Sequence, residues 1–300
     1  MKINTEEKNL PVYEALASAV RLKILNLLAV KPMNIKELAE ATGLSSAIMT
    51  MHVRKLESAK LILTRRKRIS GAVQKVCSLI PDRIIEIELP KSDNIRRSHD
   101  SAVSIGHFSD FQVVPTCGLA TVEKVIGNFD DVRSFLAPER VDAKILWFSK
   151  GFVSYKIPNY LLAAQQPEEL EISMEISSEA PGINEDWPSD ISFWLNGVYL
   201  GYWTSPGDFG EQRGKLTPRW WSDNINQYGV LKVIRINNEG TFMDGNQISE
   251  CTLADVDIRR NMWDFKVEVS EDAEYVGGLT LFGDQFGNYP QDILFKLYYQ

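Results

Sequence analysis

Cysteine is scarce. Three residues in 300, Cys77, Cys117 and Cys251, are too few and too scattered for a disulfide framework, so a reducing, cytoplasmic setting is the economical expectation. Long hydrophobic runs are also missing. No stretch of about 18 apolar residues occurs, so no segment is expected to span a membrane. The opening MKINTEEKNLPVYEAL lacks the apolar core of a secretory signal. Nucleophile elbow, P-loop, dinucleotide loop and zinc-hydrolase helix are all absent. Asp208, Glu211 and Asp223 are candidate carboxylates for glycoside cleavage, but among 40 acids any pair is easily found, and the chain is read as non-enzymatic. Of the three histidines, His99 and His107 lie near Asp110 and Cys117. No CxxC or HxxxH spacing joins them, so neither a metal site nor a cofactor is expected.

What the chain does have is a split of charge. Aspartate is missing from the first 80 residues, which carry 14 Lys or Arg against 6 Glu, a net of +8. That leaves -15 for the remainder of a chain whose total is -7. A basic end on an acidic body suits polyanion binding by the end alone. With 44% hydrophobic residues over 300 positions, there is enough apolar material for two cores.

Periodicity divides the chain at the same place. In VYEALASAVRLKILNLLA, Leu16, Val20, Ile24 and Leu27 or Leu28 mark one buried helical face. NIKELAEAT starts with Asn34 and has Glu37 three residues on, which is capping-box spacing, and Gly43 ends that short helix. A third helix starts near Ser45 or Ser46, with Met49, Val53, Leu56 and Ala59 as its inner stripe. LILTRR and AVQKVCSLI follow as two strands around KRISG, whose Gly71 reads as a hairpin tip. Helix, helix, tight turn, helix and hairpin make a winged helix-turn-helix.

With Met49, Val53 and Leu56 inward, Ser46, Thr50 and Arg54 fall on the outer side beside Ala47 and Met51. Hydroxyls, methyls and an arginine are what a major-groove reader presents to base edges. Arg65, Arg66, Lys67 and Arg68 lie next to the hairpin turn, suited to phosphate contact. Ser45, Ser46, Ala47, Thr50, Met51, Arg54 and these four cations are the candidate DNA-binding residues.

These residues also resemble a known family. ALASAVRLKILNLL and IKELAEATGLSSAIMTMHVRKLESAKLI are similar to the ArsR-type winged-helix repressors: Arg21, Ile24 and Leu25 in the first helix, Glu37-Leu38-Ala39 and Gly43-Leu44-Ser45 at the turn, His52-Val53 and Leu56 in the recognition helix, with Ala59-Lys60-Leu61 where Ala-Gly-Leu is usual. The resemblance covers about the first quarter of the chain. It implies a homodimer on a pseudo-palindromic double-stranded DNA operator, usually a repressor, with half-sites about one helical turn apart. Many members sense metals through thiolates near the helix before the turn. Here that segment is MNIKELAE, without cysteine.

Beyond residue 103 the pattern becomes short strands separated by Gly, Pro, Asn and Asp, as in an all-β sandwich. In ISFWLNGVYLGYW, Asn196-Gly197 is a preferred type I′ turn. Regular alternation from it pairs Phe193 with Leu200. It then places Ile191, Phe193, Leu195, Val198, Leu200 and Tyr202 in the core, and Trp194, Tyr199 and Trp203 on the opposite face. With Trp220 and Trp221 from the Gly-rich segment downstream, these are the candidate ligand-binding residues for a sugar or other small-molecule effector. Packing under a neighbouring strand or at a dimer contact explains the same aromatics.

The expected fold class is α+β multidomain: a winged helix-turn-helix DNA-binding domain at 1–80, a linker at 81–103, and an all-β, jelly-roll-like sandwich with a ligand-sensing role at 104–300. The expected function is a DNA-binding regulator whose β domain senses a small molecule. The alternative is a protein-binding or scaffold module that uses both parts as interaction surfaces.

Overall fold

In the computed structural model the chain forms two compact units, Met1–Ile95 and Arg96–Gln300. The structure describes residues 1–69, 72–80, 84–89 and 96–300. The expected hairpin tip at Gly71 and parts of the expected linker, 81–83 and 90–95, lie outside the described residues.

The first unit holds α1 (Leu10–Leu16), α2 (Ala19–Val30), α3 (Ile35–Thr42) and α4 (Ser46–Ser58), with strands β1 (Lys2–Asn4), β2 (Met33–Asn34), β3 (Ile62–Ile69), β4 (Ala72–Leu79) and β5 (Glu86–Glu88). The long first helix expected from apolar spacing is two helices. Ser18 is extended, at φ -161°, and breaks them apart. The cause is Arg21, which is nearly enclosed and donates to the carbonyls of Ala15 and Glu14, taking up the last acceptors of α1. α3 begins with a full capping box: Asn34 Oδ1 accepts from Glu37 N at 2.9 Å and Glu37 Oε2 accepts from Asn34 N at 2.7 Å. It ends on Gly43 at φ 72°, which opens the tight turn into α4. Ile24, Leu38, Met49, Val53 and Leu56 are fully buried in one core. Each contributes about 1.5–3 kcal/mol on leaving water.

The second unit contains β6 (Arg97–Val103), β7 (Asp110–Ala120), β8 (Ile145–Pro158), β9 (Pro167–Ser177), β10 (Ser189–Leu195), β11 (Val198–Ser205), β12 (Val230–Ile236), β13 (Thr241–Met243), β14 (Asn246–Ser249), β15 (Met262–Val269), β16 (Leu279–Phe282) and β17 (Ile293–Tyr299). One layer runs β11-β10-β15-β8-β7 and the other β6-β17-β9-β12-β13-β14. Short β16 joins them, with Leu281 paired to Leu146 of β8 and to Ile176 of β9. At the far side Ser249 Oγ donates to Leu200 O at 2.8 Å, so the sandwich is nearly a closed barrel. Alternation builds its core: Trp263, Phe265, Val267 and Val269 of β15 are buried while Asp264, Lys266 and Glu268 face out. Phe265 meets Phe295 of β17 across the core at 5.5 Å.

The linker expected at 81–103 is shorter than its polarity implied. Residues 86–88 pair in parallel with β1 inside the first unit. Residues 97–103 pair with β17 and belong to the second. An edge strand satisfies its backbone on one side and needs few apolar side chains, so RSHDSAV carries little hydrophobic signal.

Candidate nucleic-acid interface

α4 is oriented by its buried stripe. Met49, Val53 and Leu56 are fully enclosed, and this leaves Ser46, Ala47, Met51 and Arg54 exposed and Thr50 half-buried. Thr50 Oγ1 donates to Ser46 O at 2.7 Å, so its hydroxyl keeps acceptor capacity only. Ser45 is the N-cap: its Oγ accepts from Ile48 N at 3.4 Å, and the side chain expected to reach DNA is engaged in starting the helix. Ser45→Ala is expected to lower the stability of this unit by about 1 kcal/mol, read from urea unfolding.

The one acid in α4, Glu57, lies on this same face one turn from Arg54, but it is tied to the hairpin. Glu57 accepts from Lys75 Nζ at 2.6 Å and from Thr64 Oγ1, both on the hairpin, and those bonds hold its carboxyl below the usual range. Arg54 forms no ion pair among the described residues. His52 is half-buried with Nδ1 3.4 Å from the Arg21 guanidinium. Burial, then Arg21 and Lys55, push its pKa down. Arg21, buried and bonded to α1, holds the first helix pair in place for α4. The sign of it in the sequence was the match of Arg21 to the ArsR-type first helix.

Arg65, Arg66, Lys67 and Arg68 are all exposed. They do not form one cationic tip, because they are consecutive in β3 and so alternate in direction. Arg66 and Arg68 share the face of Thr64, which bonds Glu57 of α4. Arg65 and Lys67 point with Leu63 to the other face, over a cleft lined by Val30, Lys31 and Pro32 that Arg66 also borders.

Residues 18–63 match the family model described as bacterial regulatory protein, arsR family. This segment is an ArsR-family helix-turn-helix domain. The ArsR-family domain is 47% identical over 49 residues to an uncharacterized HTH-type transcriptional regulator of Methanocaldococcus jannaschii, covering 16% of this chain and 52% of that protein. The chain thus spans about half the length of the curated relative it matches. A solved homodimeric winged helix-turn-helix DNA-binding domain of a possible ArsR-family regulator from Mycobacterium bovis shows 27% identity, covers 24% of this chain and 64% of its own, and has a TM-score of 0.22. A carbohydrate-binding module, CBM36, solved with calcium and xylotriose, covers 67% of this chain and 99% of its own, with 11% identity and a TM-score of 0.28. Neither value in that last match assigns a ligand to this chain.

The five aromatics expected to gather in the β unit are dispersed. Asn196 at φ 54° and Gly197 at φ 83° make the turn, and Trp194 pairs with Tyr199. A bulge follows: Phe193 pairs with Gly201, not Leu200. One extra residue reverses the alternation beyond it. Trp203 therefore pairs with buried Ile191 and lies on the core side, 4.6 Å beneath Lys232 Nζ, while Tyr202, expected in the core, is exposed. The outer face carries Trp194, Tyr199 and Tyr202, with Trp194 5.0 Å from Tyr199 and 4.4 Å from Lys266 Nζ. Trp221 is buried against Trp147 and Phe286, with Nε1 donating to Asn226 O at 2.9 Å. Only Trp220 of that pair is exposed. Neither is on the outer face of β10 and β11.

His99 stacks on Tyr299 at 4.5 Å and bonds Gln165, and Cys117 is enclosed with its thiol pushed up to about 11 by burial. Among the described residues no three His, Cys, Asp or Glu side chains cluster as a metal set. Of the three candidate carboxylates, Asp208 is enclosed, while Glu211 is exposed and Asp223 pairs with Arg213 at the surface.

Proposed function

We propose that this chain is a DNA-binding transcriptional regulator that docks α4 in the major groove as one half of a homodimer. The observation that carries the reading is the outer face of α4: Ser46, Ala47, Met51 and Arg54 are exposed and Thr50 half-buried, and the one acid on that face, Glu57, is offset by its bond to Lys75 of the hairpin. Arg66 and Arg68, on the α4 side of β3, are the cations placed for backbone phosphates. Arg65 and Lys67 face the other way and contribute through long-range charge. A gel shift with the DNA upstream of its own gene tests the reading. Retardation should weaken steeply with salt, as counterion release requires. No shift at low salt would replace the regulator with the scaffold alternative.

The effector reading rests on the outer aromatic face of β10 and β11. Tyr199 and Tyr202, beside Trp194, present flat apolar surface next to Lys266, Glu268 and Ser192. Such a surface stacks on the C–H face of a sugar ring while polar neighbours meet its hydroxyls. A thermal-shift screen of mono- and oligosaccharides should find a stabilising ligand, and Tyr199→Ala should reduce its affinity about tenfold while leaving DNA binding intact. A flat screen would remove the sugar from the proposal.

A further inference from the structure

The 206–229 segment, with hardly any regular structure, folds back over the outer side of β9 and β16. Its enclosed residues are polar as well as aromatic. Asp208 is fully buried. Its Oδ2 accepts from Ala180 N at 3.2 Å, and its Oδ1 has no hydrogen-bond partner. Asn226 is 3% exposed; its Nδ2 donates to Glu179 Oε2 and to Thr280 Oγ1, both at 2.8 Å, and its Oδ1 also has no partner. Thr280 Oγ1 gives a further 2.9 Å bond to Glu179 Oε2. The carboxylate of Glu179, the residue before Ala180, therefore sits against the head group of Asn226 and one residue from the bond to Asp208. Ser178 and Gln227, chain neighbours of Glu179 and Asn226, add buried oxygens without partners.

This arrangement is short of positive charge. Among the described residues neither Glu179 nor Asp208 has a cationic side chain in an ion pair, and the like charges of Asp208 and Asp130 both act on Glu179. Two carboxylates without a counter-charge, Asp208 enclosed and Glu179 half-buried, are costly, and an enclosed amide oxygen without a donor adds to the cost. A cation bound between them removes both penalties. The donors offered are two carboxylates and the unpartnered amide oxygen of Asn226, whose side-chain amide now points Nδ2 at Glu179 and must turn to bring Oδ1 to the ion. That chemistry selects a hard ion, and an irregular, loop-built set of oxygens suits the flexible shell of calcium better than the strict octahedron of magnesium. Glu179 is only partly buried, which gives the ion a route in.

We propose that Glu179, Asp208 and Asn226 bind a calcium ion that fastens the 206–229 segment to the end of β9. Trp221, whose Nε1 bonds the Asn226 carbonyl, stands next to the site and supplies an optical probe. The test uses the full chain after exhaustive chelation. Calcium alone should raise the melting temperature of the β unit saturably, by roughly 5 °C at a hundredfold excess over its dissociation constant. Magnesium should do so at least tenfold less effectively. Terbium should show luminescence on tryptophan excitation, displaced by calcium. Asp208→Asn and Glu179→Gln should each weaken calcium binding tenfold or more, and Asn226→Asp should strengthen it. Glu239→Gln, exposed between β12 and β13, should leave calcium binding unchanged. Calorimetry of the wild-type chain decides the matter even if a variant fails to fold: no heat and no melting shift up to millimolar calcium would overturn the proposal. An undiminished response in both Asp208→Asn and Glu179→Gln would do the same.

Discussion

Glu175→Ala is expected to lower the stability of the β unit by about 3–5 kcal/mol. Glu175 is fully buried on the non-core side of β9, and its carboxylate accepts from three backbone amides: Gly229 at 2.8 Å, Asn288 at 2.8 Å and Tyr289 at 2.9 Å. Two separate segments, the one entering β12 and the one entering β17, are tied to β9 through this single side chain. Truncation leaves three enclosed donors unpaired, each costing about 1–3 kcal/mol before any water enters to share the loss. Gly287 completes the cradle: a Cβ there would stand 2.3 Å from Glu175 Oε1. Urea unfolding followed by tryptophan fluorescence measures the change, and a loss below about 1 kcal/mol would show that these segments are held by other contacts.

The same residue gives a pH dependence with a definite sign. Burial pushes the Glu175 carboxyl from 4.5 up to about 7, against the opposing pull of the three amides and Lys215. Between those values the folded chain keeps a proton that the unfolded chain has released. Stability contributed by this group therefore falls as pH rises from about 4.5 to about 7. Unfolding free energy plotted against pH should be flatter over that window in Glu175→Gln than in the wild-type chain. Equal slopes would mean that Glu175 is ionised throughout.

Local signals were legible where one residue type has one physical use. Asn34 with Glu37, Gly43, Ser45 and Asn196-Gly197 each appear in the role their chemistry assigns, because caps and turns are decided within a few residues. The inner stripe of α4 was equally readable. Features set by the rest of the chain were not. The bulge after Phe193 depends on strand pairing, so alternation counted from the turn put Tyr202 and Trp203 on each other's faces. In LEISMEIS, Glu171, Ser173 and Glu175 alternate with the core residues and look solvated, yet Glu175 is covered by chain more than 50 positions away. The four basic residues of β3 read as one patch in sequence but divide between two faces, since strand geometry reverses direction at each step.

That division makes the DNA interface separable by substitution. Arg54→Ala is expected to cost about 1–3 kcal/mol at the operator, roughly 5- to 150-fold, and to relax base choice at the position it reads. Arg54 is exposed on the outer face of α4 and free of ion pairs among the described residues, so its removal should leave the fold intact. Arg66→Ala, on the α4 side of the hairpin, should instead weaken specific and random duplexes alike and reduce the salt slope by about one phosphate. Arg65→Ala, on the other side, should have a smaller effect on both, since its charge acts only over distance and is screened beyond about 8 Å at physiological salt. Fluorescence anisotropy over a salt series, with operator and scrambled duplexes, separates the three. Equal losses for Arg54→Ala on both duplexes would remove α4 from the groove, and equal losses for Arg65→Ala and Arg66→Ala would show that the strand's two faces meet DNA together.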